Sequence, residues 1–142
     1  MRVIALVENT SISKDYKSKH GLCLYIETKK HKLLFDLGSN SLFLGNAVKL
    51  DVDISDIDSV IISHGHNDHG GALKYFLENN AKANIYISRY AFEEYYANIL
   101  GMKWYVGLDR KLKDNPRIIL IEDEYLSLIH ISEPTRLALI SY

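Results

Sequence analysis

The stretch "SHGHNDHGG" at residues 63–71 sets His64, His66 and His69, three of the chain's six histidines, within six positions, with Asp68 among them. Imidazole nitrogens and carboxylate oxygens at that density are the donors that bind divalent metal ions. Residues two apart in extended backbone share a face, so His64 and His66 can offer nitrogens to one ion. Asp68 and His69 follow past a bend and can aim at a second ion beside the first. The donor set suits zinc, and also iron or manganese, with no thiolate in reach of the motif. The competing reading makes Asp68 an N-cap accepting backbone N–H bonds and leaves the histidines at the surface. It would serve for one histidine and serves poorly for this cluster. His20 and His31 each stand among lysines and read as solvated loop residues. Tyr75, Tyr86, Tyr90, Tyr95 and Tyr96 read as packing residues, and none of them is expected in a site.

The elements that must hold these donors are legible in outline. "VIALVEN" (3–9) reads as a strand, and "LCLYIET" (22–28) and "KLLFDLG" (32–38) as two more, split by a hairpin turn at "KKH". Phe43, Ala47 and Leu50 fall at helical spacing, with Ser39, Asn40 or Ser41 available as cap. "DVDISDID" (51–58) lacks the glycine and terminal glutamate of a calcium loop and reads as a solvated turn. "SVIIS" is a short buried strand that delivers the histidine cluster at its C-terminal end. A helix is expected over 70–79, then a strand at "NIYIS", a helix at "RYAFEEYYANIL" (89–100), a turn-rich segment over 101–116 and a strand at "RIILIED".

Composition bounds the rest. A chain of 142 residues with 47% hydrophobic and 25% charged residues fits one globular domain. A formal net charge of −1 gives no broad attraction to nucleic acid or an anionic membrane, so neither is an expected partner. No apolar run approaches the roughly 20 residues of a membrane span. The single cysteine, Cys23, cannot form an internal disulfide, sits in an apolar run and reads as a packing residue; the expected location is cytoplasmic.

His-x-His-x-Asp-His after a strand, with "LLFDLG" upstream, resembles the metallo-β-lactamase superfamily over residues 1–125. "LVENT", "HGLCLYIET" and "SHGHNDHGG" are most similar to its branch of ribofuranosylaminobenzene-phosphate synthase-like proteins of methanopterin synthesis. The resemblance implies an α/β fold, the first half of an αββα sandwich, and hydrolysis of a small-molecule ester or phosphoester by metal-activated water. It implies two zinc ions in a complete site, with His64 and His66 on the first, Asp68 and His69 on the second, Asp68 also orienting the water, and Asp36 supporting the metal loop from behind. The family takes further ligands from later strands, and only His130 remains to supply one. "SLIHISEPTRLALISY" (127–142) is similar to translated sequencing-adapter read-through, so residues 126–142 are expected to be a non-native tail and the site to be incomplete. The 142-residue polypeptide is then expected to bind zinc weakly, hydrolyse little and aggregate readily. Two further readings stay open: an iron-dependent oxidoreductase on the same fold, and a non-catalytic metal-binding fragment.

Overall fold

The computed structural model of the protein describes residues 1–122. The expected tail over 126–142 and His130 lie outside the described residues. β1 (Arg2–Val7), β2 (Cys23–Glu27) and β3 (Lys32–Phe35) form an antiparallel meander. β3 is followed by α1 (Leu42–Lys49) and then, in parallel, by β4 (Ser59–Ile62), β5 (Asn84–Ser88) and β8 (Ile118–Ile121). The sheet order is β1-β2-β3-β4-β5-β8, a mixed α/β arrangement in line with the expected fold class.

The two faces of this sheet differ. A row running across all six strands through Ile4, Tyr25, Leu34, Val60, Ile85 and Ile118 carries the core, with Leu34, Val60 and Ile85 fully buried. Phe43 and Ala47 of α1, and Leu73 and Phe76 of the helix after β4, belong to the same buried cluster. The neighbouring row on the opposite face runs through Ala5, Leu24, Phe35, Ile61, Tyr86 and Ile119, none of them buried. Cys23 is buried and free, as expected, and burial pushes its thiol well up, with the Asp36 carboxylate adding to the shift.

Three expectations need correction. The helix expected over 70–79 begins only at Leu73, as α3 (Leu73–Asn79), and a separate short helical turn, α2 (Asn67–Gly70), closed by Gly71 N–H on Asn67 O, precedes it. No helix forms over 89–100. A turn there leads into β6 (Tyr96–Ile99), which pairs with β7 (Met102–Tyr105) as a separate hairpin, its first strand in the expected helix and its second in the segment expected to be turn-rich. The hairpin turns at Leu100 and Gly101, both at positive φ (52° and 79°), the conformation two-residue hairpin loops require. "DVDISDID" contains a 3₁₀ turn at Ile54–Asp56 capped by Asp53. Lys32 and Lys82 flank Asp56 at 2.6 and 3.0 Å and hold its carboxyl down at about 2. No helix among the described residues is long and apolar enough to cross a membrane.

Candidate metal centre

Parallel β3 and β4 end side by side, and their C-terminal ends bring Asp36 to the start of the histidine loop, the place where open α/β sheets bind ligands. Asp36 N–H donates to Ile61 O at 2.8 Å, Leu37 N–H to His69 O at 2.7 Å, and Ala72 N–H to Gly38 O at 2.9 Å. The loop is clamped from two other sides as well. Asn67 N–H donates to Val106 O at 2.8 Å, beyond the hairpin, and Leu22 N–H donates to Asp68 O at 3.3 Å, at the entry to β2. Gly65 lies so close to the 91–95 turn that a Cβ would fall 2.3 Å from Ala91 O.

Asp36 is fully buried and adopts φ 56°, a left-handed conformation that aspartate tolerates better than most residues. Its Oδ1 accepts from Ser63 N–H at 2.7 Å and its Oδ2 from Ser63 Oγ at 2.8 Å. His69 Nδ1 lies 2.7 Å from the same Oδ2, and this bond raises the His69 pKa. With Nδ1 so engaged, His69 Nε2 is left to face Asp68 Oδ2 at 3.5 Å. Ser63 Oγ also lies 2.9 Å from His64 Nδ1, which leaves His64 Nε2 directed at His66 Nδ1, 3.2 Å away. Partial burial lowers the His64 pKa, with His69 and His66 adding to the effect, so a neutral imidazole with a lone pair to give is favoured.

These separations suit a metal. Tetrahedral zinc with ligand bonds of about 2.0–2.1 Å sets its donors about 3.3–3.4 Å apart. The His64–His66 and Asp68–His69 pairs sit at 3.2 and 3.5 Å. His64, Asp68 and His69 also offer ligand atoms that all lie within 4.8 Å of one another and could hold one ion. His64 is therefore within ligand spacing of Asp68 and His69 as well as of His66, which is the nearer at 3.2 Å.

All five residues singled out from the sequence, His64, His66, Asp68, His69 and Asp36, meet here. α3, the helix that Asp68 was to cap, has Ala72 at its N-cap, and the short α2 has His66, so the capping reading of Asp68 fails for both. Three contributors were not legible. Ser63 joins Asp36 to His64, Tyr95 sets its ring edge-on to His66 at 5.4 Å, and His20 brings Nε2 to 3.2 Å from Asp68 Oδ2 while staying 80% exposed. The only sequence signal for Ser63 was its place directly before the motif.

A family model described as the metallo-beta-lactamase superfamily matches residues 19–135. The chain belongs to this superfamily. An uncharacterized protein of Methanocaldococcus jannaschii is 34% identical over 110 residues, which is 77% of this chain and 41% of that one. A probable RNase of the same organism is 46% identical over 54 residues, 36% of this chain and 12% of the relative. Among solved structures, a metal-dependent hydrolase of the β-lactamase superfamily aligns with a TM-score of 0.65 and 27% identity, over 85% of this chain and 42% of that one. The chain thus spans about two fifths of the relatives it matches at greatest length.

Proposed function

We propose that the protein is a metal-dependent hydrolase of small-molecule esters or phosphoesters, with His64, His66, Asp68 and His69 as ligands of a two-zinc centre. The observation that carries this reading is the pairing of donors at tetrahedral spacing, with one histidine of each pair, His64 and His69, turned by a bond that leads back to Asp36. Bound divalent metal supplies a water acidified to near neutrality and an electrophile for the substrate's carbonyl or phosphoryl oxygen.

The chain's own residues do the rest. Asp36 holds the Nδ1 side of His69 and, through Ser63, that of His64, so both present Nε2 to the ions. Asp68 presents a carboxylate oxygen within 4.8 Å of ligand atoms of His64 and His69, where it can accept a proton from the attacking water and orient it. Tyr95 packs against His66 and limits its swing. Iron or manganese would fit the same donors. The methanopterin-branch likeness supports a phosphoester substrate, and the similarity to a probable RNase makes a phosphodiester the first ester to assay.

Purified protein analysed for zinc, iron and manganese, then assayed on p-nitrophenyl esters, phosphomonoesters and phosphodiesters with and without chelator, tests the proposal. Bound zinc with chelator-sensitive turnover lost in His64→Ala supports it. Bound iron with a visible absorption band and no ester turnover would replace it with an oxidoreductase, and metal without turnover would leave a metal-binding fragment.

A further inference from the structure

The orienting groups of the four donors are unequal. Asp36 fixes His69 directly and His64 through Ser63, and Tyr95 packs on His66. Asp68 draws nothing from Asp36. Among the described residues its carboxylate meets His69, its fellow donor, and His20 from the segment between β1 and β2.

We propose that His20 is the positioning residue for the Asp68 carboxylate, an inference that rests on the metal reading above. Its Nε2 lies 3.2 Å from Asp68 Oδ2, the same oxygen that faces His69 Nε2. A carboxylate oxygen has two lone-pair directions, one for a metal ion and one for an N–H donor. With a proton on Nε2, His20 stands 3.2 Å from that oxygen, close enough to turn its N–H into the second direction when a metal ion takes the first.

The placement of His20 is built into the backbone. Lys19 N–H donates to Glu8 O at 3.1 Å and Gly21 N–H to Asn9 Oδ1 at 3.1 Å, which ties the segment to the end of β1. Leu22 N–H then donates to Asp68 O at 3.3 Å, which ties it to the metal loop. Gly21 takes φ 129° and presses so closely on that loop that a Cβ would fall 2.1 Å from Asp68 O. Contact between this segment and Asp68 is therefore made at backbone level by the two residues after His20, while the residue before it is tied to the end of β1. The imidazole itself is mostly exposed, so replacing it removes the contact with Asp68 with little loss of packing.

The test is a cobalt(II) titration of the full chain and its His20→Ala, His20→Gln and Asp68→Ala variants, followed by visible absorption and chelator competition to give a dissociation constant for each ion. Loss of a group that orients a ligand weakens metal binding about 10- to 100-fold. His20→Ala should weaken the ion held by Asp68 and His69 by about that factor. It should leave the ion on His64 and His66 within about twofold and the urea midpoint unchanged. His20→Gln, which keeps an N–H donor of similar reach, should recover most of the loss, and His20→Ala should add nothing in the Asp68→Ala background. Unchanged affinity for both ions in His20→Ala overturns the role of His20 and leaves the metal centre standing. Equal weakening of both ions together with a lower urea midpoint also overturns it, in favour of a purely structural contact. A wild-type chain that takes up no cobalt overturns the metal reading and the role of His20 with it.

Discussion

Asp36 shows how much one buried carboxylate can organise. It accepts three hydrogen bonds and so fixes the start of the loop, the tautomer of His69 and, through Ser63, the rotation of His64. Asparagine tolerates the same left-handed backbone but presents an N–H₂ group either where Ser63 N–H or where both Ser63 Oγ and His69 now find an acceptor. Asp36→Asn should therefore keep the fold and weaken metal binding about 10- to 100-fold, read by chelator competition. Ser63→Ala should weaken chiefly the ion on His64, because Asp36 keeps its bond to His69. Equal metal affinity in Asp36→Asn and wild type would remove Asp36 from the site. The four donors were legible in the sequence because their types and spacing are rare together. Asp36 came only with the family resemblance, since a lone aspartate after a strand says nothing by itself. Ser63 and His20 were invisible for a physical reason: a serine and a lysine-flanked histidine look like surface residues until the fold sets them against a carboxylate.

At the scale of elements, strands were read well where apolar residues run between turn signals, and badly where tyrosines are dense. "RYAFEEYYANIL" offers apolar and aromatic residues at spacings compatible with a helix, yet its second half is strand. Long-range bonds decide the matter, because Val106 N–H donates to Tyr95 O and Asn67 N–H to Val106 O, tying the root of the hairpin to the metal loop. Leu100 pays for this locally: it sits at φ 52° and is 95% exposed. A non-glycine residue in that region costs about 1–2 kcal/mol, and asparagine less. Leu100→Asn, giving the Asn-Gly pair that such turns prefer, should stabilise the hairpin by about 0.5–1 kcal/mol. Amide exchange at Ala97 and Trp104 should slow roughly two- to fivefold, and faster exchange would mean that the turn is not the one described.

At the scale of the whole molecule, the first-half expectation and the sheet agree: one face is core and the other carries an apolar row that nothing among the described residues buries. The two rows make a comparison within one sheet, since Leu24 and Leu34 lie on adjacent strands and opposite faces. Leu34 is fully buried between Val60 and Tyr25, whereas Leu24 is only partly covered. Leu34→Ala should cost about 2–5 kcal/mol, the range for emptying a core site that cannot collapse. Leu24→Ala in the same chain removes the same atoms from a site already part-hydrated and should cost about 1 kcal/mol or less. Urea unfolding monitored by far-UV circular dichroism separates the two variants, with equal slopes required for the comparison. If Leu24→Ala destabilises the chain as much as Leu34→Ala, the second face is already a core and water does not reach it.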